Sequence, residues 1–128
     1  MCWVSYMATP IVLKKPLKVY KLGAAIISGD FISLYRKFRY YKYKIMPTIK
    51  INPEFKRCYN FDESWLCDTF YISEGYHSYL TKDVAKLKSR GYDDIGIFEI
   101  PAGSTIYINH IYEEVVSTNI KYLGLLER

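Results

Sequence analysis

The chain has 128 residues, half of them hydrophobic and 17% aromatic, with 14 tyrosines and a formal charge of +5. That length supports one hydrophobic core and is short for two, and so aromatic a composition excludes an intrinsically disordered chain, so a single domain over residues 1–128 is expected. Charge is unevenly spread, with 12 Lys and Arg against 2 Asp and Glu in residues 1–60 and 6 against 11 in residues 61–128. Such polarity steers anions to one side, or lets the two halves attract within one molecule or across a homodimer.

The opening MCWVSYMATPIVL lacks the basic start of a signal peptide and is broken by Ser5, Thr9 and Pro10. No apolar run nears the ~20 residues of a membrane helix, so a cytoplasmic protein with no membrane partner is expected. Leu17–Leu22 reads as a strand with Leu17, Val19 and Lys21 on one face and Lys18, Tyr20 and Leu22 on the other. Ser28-Gly29-Asp30 marks a turn, and the aromatic, β-branched and basic residues of Phe31–Ile51 suit two strands, with Pro47 at an edge, a bulge or the break between them.

Glu54–Asp68 mixes polar and aromatic residues and reads as a loop with at most a helical turn. Thr69–Ser73 returns to strand and Glu74-Gly75 turns. Thr81 then caps a helix whose Val84, Ala85, Leu87 and Lys88 give an apolar face edged by charge, with Gly91 as its C′ residue. Ile95–Ile100, Thr105–His110, Glu113–Val116 and Asn119–Leu126 read as strands, the first two parted by the Pro101-Ala102-Gly103-Ser104 turn. Two runs of strands around few helices predict an α+β fold with a largely antiparallel sheet and one or two short helices.

Three constellations carry candidate chemistry. In RKFRYYKYK, Arg36, Lys37, Arg39, Lys42 and Lys44 supply cations for phosphates, and Tyr41 and Tyr43, with Phe38 and Tyr40, supply rings for base stacking, as in modules that hold single-stranded nucleic acid. A basic edge strand that resists pairing between molecules explains the same residues. In EGYHSYLTKDVAKL, Tyr76, His77, Ser78 and Tyr79 sit between a turn and a helix start, where backbone amides hold anions and an imidazole exchanges protons near neutral pH. Glu113 and Glu114 open a late strand, and strand alternation lets only one of them face a given cleft. Cys2, Cys58 and Cys67 form no C-x-x-C pair, and with only His77 and His110 beside them they predict free thiols and no metal.

From TPIVLKKPLKVYKLG through EGYHSYLTKDVAKL to IPAGSTIYI and EEVVSTNIKYL, the chain resembles small uncharacterised proteins of Bacteroides-type gut bacteria and their phages, a family that implies no particular activity. Three pieces, VYK, GYHSYLTKDVAKL and YEEVVSTNIKYL, are also similar in order and spacing to the ADP-ribosyltransferase fold. That resemblance implies Lys21 where the family has an NAD-gripping Arg or His, Ser78 or Tyr79 on the middle strand and helix, and Glu113 or Glu114 as the catalytic carboxylate. Lys21 departs from the pattern, because an ammonium has neither the planar donor fork of guanidinium nor the acceptor of imidazole. The expected function is therefore binding rather than catalysis. A nucleotide-like or other anionic ligand, or a protein partner, would meet a degenerate cleft of Tyr20, Lys21, His77, Ser78, Tyr79 and one glutamate, with no cofactor. NAD enters only under the alternative of an active ADP-ribosyltransferase, and nucleic acid only under that of the basic aromatic strand.

Overall fold

The computed structural model describes residues 10–34, 37–59, 66–72, 74–110 and 112–127, with 55–59 and 66–71 described by their backbone alone. Along the chain run β1 (Ile11–Val12), β2 (Leu17–Ala25), β3 (Phe31–Ser33), β4 (Arg39–Tyr40), β5 (Glu54–Tyr59), β6 (Leu66–Tyr71), β7 (Tyr76–Tyr79), α1 (Lys82–Lys88), β8 (Asp94–Ile100), β9 (Thr105–Asn109), β10 (Glu114–Ser117) and β11 (Lys121–Leu125). Among the described residues nine strands make one sheet in the order β1-β9-β10-β7-β2-β3-β4, with β8 joining β2 to β11, while β5 and β6 pair as a separate antiparallel hairpin. Among the described residues the architecture is a largely antiparallel sheet with one short helix, as the strand-rich sequence predicts.

Strand β2 is the hub. One edge pairs with β8 from Leu17↔Ile100 to Gly23↔Asp94, and the other is shared by β7 at Tyr20↔Tyr79 and β3 from Gly23↔Ser33 to Ala25↔Phe31. The two-residue period of LKVYKL sends Leu17, Val19 and Lys21 to the face that meets the main core, in which Val19, Phe31, Tyr40, Tyr76, Phe98 and Tyr122 pack together. Tyr20 and Leu22 take the other face, where Leu22, Ala85 and Ile95 form a smaller core against α1.

Beyond β4 the chain crosses to β11. Lys42 and Ile45 bridge to Tyr122 and Lys121, and the amides of Tyr43 and Met46 donate to the carbonyls of Tyr122 (2.8 Å) and Ile120 (2.9 Å). Hydrogen-bonded segments thus run from β2 through β3, β4 and β11 to β8 and back to β2, a ring around Phe31, Tyr40, Phe98 and Tyr122. The rings of this interior meet edge to face or tilted, with centroids 5.0 Å apart for Tyr40–Phe98 and 5.2 Å for Phe31–Tyr122. Phe31 packs closely against the sheet at two positions that lack a Cβ. One on Gly23 would strike the Ile32 carbonyl and come within 2.8 Å of the Phe31 ring, and one on Gly96 would come within 2.7 Å of Phe98 and 3.0 Å of Phe31.

The helix begins as expected, with the Thr81 hydroxyl accepting from the Val84 amide at 3.2 Å, Asp83 in the first turn and Lys86 and Lys88 in the last. Its end differs from the expectation. Extended Ser89 is the C-cap and donates its amide to the Ala85 and Lys86 carbonyls, so no left-handed glycine is needed and Gly91 falls in the following turn. Other boundaries are corrected too. Glu54–Tyr59 and Leu66–Tyr71 are strands rather than a loop, their register running from Glu54↔Tyr71 to Tyr59↔Leu66. Among its described residues Phe31–Ile51 holds the short β3 and β4, because left-handed Lys37 (φ 49°) and Tyr43 (φ 62°) break the extended run. Tyr76–Tyr79, expected between a turn and a helix, is a strand locked between β2 and β10.

Candidate functional site

Strands β2, β7 and β10 are adjacent, so the sequence-predicted site residues lie close together in the sheet. Pleating then divides them. Directly opposed residues share a face, and the register Glu114↔Tyr79 and Tyr79↔Tyr20 puts those three side chains in one row. Tyr20 and Tyr79 pack against the small core under α1, and Lys88 of that helix acts on the Glu114 carboxyl, so this row occupies the helix side. His77, two residues before Tyr79, shares it. Lys21 and Ser78, one step along in the same antiparallel pairing, occupy the opposite, core side.

On the helix side, Glu114 is half-buried, and burial raises its carboxyl above the usual range while Lys88 pulls it back. Glu113 lies outside the strand in an exposed left-handed turn (φ 50°), with its carbonyl accepting from the Leu80 amide at 2.8 Å. At seven residues, with Thr81 on the Val84 amide, α1 is no anion cradle.

The core side is the unusual one. Lys21 is 8% exposed, and its Nζ donates to the His77 carbonyl and lies 5.4 Å from the Tyr40 ring centroid and 6.0 Å from that of Phe98. Among the described residues no carboxylate pairs with it. Ring faces and one carbonyl replace only part of its hydration, so desolvation by burial pulls the ammonium down from 10.5 to about 7. Ser78 beside it is 5% exposed, and its Oγ is buried with no hydrogen-bond partner among the described residues. Such a hydroxyl costs the fold about 1–3 kcal/mol, and a buried charge without a counter-ion costs several more.

Aromatic side chains wall this pair. The Tyr76 hydroxyl reaches over to the Pro47 carbonyl at 2.6 Å, and its ring stands 6.3 Å from that of Tyr40. Burial raises the Tyr40 hydroxyl far above its ordinary range, with Tyr76 adding to the effect and a hydrogen bond with Ser33 opposing it. The sequence names Tyr40 among the rings available for base stacking, whereas it is 1% exposed and belongs to this interior, and Phe98 carried no functional expectation. The available signal was Lys21 itself, a charge on the strand face that also carries Leu17 and Val19.

The basic aromatic segment stands elsewhere. Lys37, Arg39, Tyr41, Lys42, Tyr43 and Lys44 are exposed between β3 and the crossing to β11, while Arg36 lies outside the described residues. The described ion pairs join residues of like sequence half, Arg39–Asp30 (2.9 Å) in the basic one and Arg90–Asp93 (3.0 Å) and Lys121–Glu99 (3.4 Å) in the acidic one. Among the described residues no three His, Cys, Asp or Glu gather as a metal would require, and no helix is long and apolar enough to cross a membrane. No protein-family model, curated protein or solved structure matches the chain.

Proposed function

We propose that the protein binds a small anionic, nucleotide-like ligand at the core side of β2 and β7, with Lys21 as the cation, Ser78 as a hydroxyl donor and the rings of Tyr40, Tyr76 and Phe98 as the wall. One observation carries this reading. Among the described residues a buried ammonium without a carboxylate and a buried hydroxyl without a partner lie on the same face of neighbouring strands, and an anionic oxygen that reached both would compensate both. The neighbouring rings of Tyr40, Tyr76 and Phe98 make the surroundings of this pair apolar.

The order of strands, with Lys21 on β2, Ser78 on β7 ahead of α1 and Glu114 on β10, supports an ADP-ribosyltransferase-like plan for this part of the sheet. Binding is favoured over transfer because Glu114 faces the helix side and Glu113 an exposed turn, leaving neither beside Lys21 and Ser78. If transfer from labelled NAD were observed, and abolished by Glu113→Gln together with Glu114→Gln, the enzymatic reading would replace this one.

The direct test titrates the chain with inorganic phosphate, adenosine monophosphate and uncharged adenosine, following heat and the Lys21 side-chain resonances. The monophosphate is expected to saturate, to move the Lys21 pKa upward as an anion favours the ammonium, and to bind at least ~10-fold more weakly to the Lys21→Met chain. Equal binding by wild type and Lys21→Met, or no binding of either anion, would rule the site out.

A further inference from the structure

A second surface has chemistry that the interior site does not use. In residues 38–45 the side chains of Phe38, Tyr41, Tyr43 and Ile45 are exposed, Tyr43 at 65% and Tyr41 at 45%, and Lys42 and Lys44 stand among them. Exposed rings interleaved with cations are the parts from which sequence-tolerant single-strand binders are made. Lysines scattered on a mobile loop would be an ordinary solvated face, so what separates this segment is how firmly it is held. The Lys42 amide donates to an Asp30 carboxyl oxygen at 3.1 Å, the Tyr43 amide to the Tyr122 carbonyl, and the Lys44 amide to the Tyr41 carbonyl at 3.1 Å. Asp30 also takes the Arg39 guanidinium at 2.9 Å, which uses that cation internally and leaves Lys42 and Lys44 without a carboxylate among the described residues.

Cations lie over the rings at contact range, two of them over Tyr41 and one over Tyr43. Arg39 and Lys44 lie 5.1 and 5.4 Å from the centroid of Tyr41, and Lys42 lies 5.2 Å from that of Tyr43. Tyr43 is the more telling of the two. A bulky residue at φ 62° occupies the left-handed region at a cost, and here the strained backbone is fixed to β11 while its ring points to solvent and not to any core.

We infer that this pinned segment is a docking surface for single-stranded nucleic acid, with Tyr43 and Tyr41 offering ring faces to unpaired bases and Lys42 and Lys44 neutralising adjacent phosphates. A single strand fits better than a duplex, whose bases hide their faces from stacking. The uneven charge of the chain agrees with this partner, since the surface belongs to the half with 12 basic residues against 2 acidic ones.

Anisotropy of a labelled 12-nucleotide oligouridine with the full chain tests the inference, with oligothymidine, a duplex of equal length and vesicles of phosphatidylcholine and phosphatidylserine alongside. Expected are saturable binding at 50 mM salt that weakens at least ~5-fold by 200 mM, and a clear preference for single strands over duplex. Tyr43→Ala should weaken it several-fold at unchanged salt slope, and Lys42→Ala with Lys44→Ala should reduce the slope by ~1. Excess adenosine monophosphate should leave it untouched, which separates this surface from the interior site. No binding by the wild-type chain at 50 mM salt, equal affinity for duplex, or stronger association with the acidic vesicles would each overturn it. Because the wild-type measurements alone decide among these outcomes, the result does not depend on any variant folding.

Discussion

Lys21 and Lys42 present the same ammonium to a tyrosine ring at nearly the same distance, 5.4 Å from Tyr40 and 5.2 Å from Tyr43, yet they stand in opposite surroundings. Around Lys42 water and salt ions compensate the charge, so the ring contact is a small addition. Around Lys21 the rings and one carbonyl are nearly all the compensation there is, and the charge becomes a burden on the fold. The pair teaches that the contact geometry of a cation says little until the solvent around it is known.

The sharpest way to break the comparison is with pH. The folded-state pKa of Lys21 is lowered to about 7, so between about pH 7 and 10.5 the unfolded chain binds more protons than the folded one, and stability must rise with pH across that window. The destabilisation is fully present below pH 7 and has a ceiling of about 5 kcal/mol. Urea unfolding of wild type against Lys21→Met isolates it from the buried tyrosines. Lys21→Met should be more stable by several kcal/mol at pH 6 and by only about 1 kcal/mol at pH 9.5. A constant difference at the two pH values would mean that Lys21 keeps its charge comfortably in the interior.

A smaller effect is expected at its neighbour. Ser78→Ala removes a buried hydroxyl that makes no bond and should raise stability by about 1–2 kcal/mol in ligand-free protein, measured by the same denaturation. A loss instead of a gain would reveal a partner for the hydroxyl. Smallest of all, Lys42→Ala and Lys44→Ala should each leave stability within about 0.5 kcal/mol, since exposed side chains without ion pairs contribute little. A larger loss from either would show that the outer lysines hold the fold rather than face a partner.

Much of the architecture was legible in local signals. LKVYKL shows its two faces by simple alternation, Thr81 announces the helix, and Pro101–Ser104 announces a turn that the structure builds around left-handed Gly103. Tyr76–Tyr79 was not legible as a strand, because four polar-tipped residues after a glycine look like a loop running into a cap. What makes them a strand is distant pairing with Tyr20 and with Glu114–Ser117. That single misreading governed the site, since a strand's period separates His77 and Tyr79 from Ser78 and Lys21, whereas a turn imposes no such division. The hairpin of β5 and β6 was hidden for a similar reason, its strands being defined by cross-strand register and not by any apolar alternation in FKRCYN.

Gly23 and Gly96 bear on how related chains are to be sought. Each leaves room that the Phe31 ring takes up, and an added methyl group at either would push that ring off the sheet. Sequences that have drifted beyond ordinary recognition but keep the same interior should therefore preserve a hydrogen at both places and a planar side chain at the third. This sparse three-point signature is a better search key for distant kin than the lysine whose chemistry they enclose.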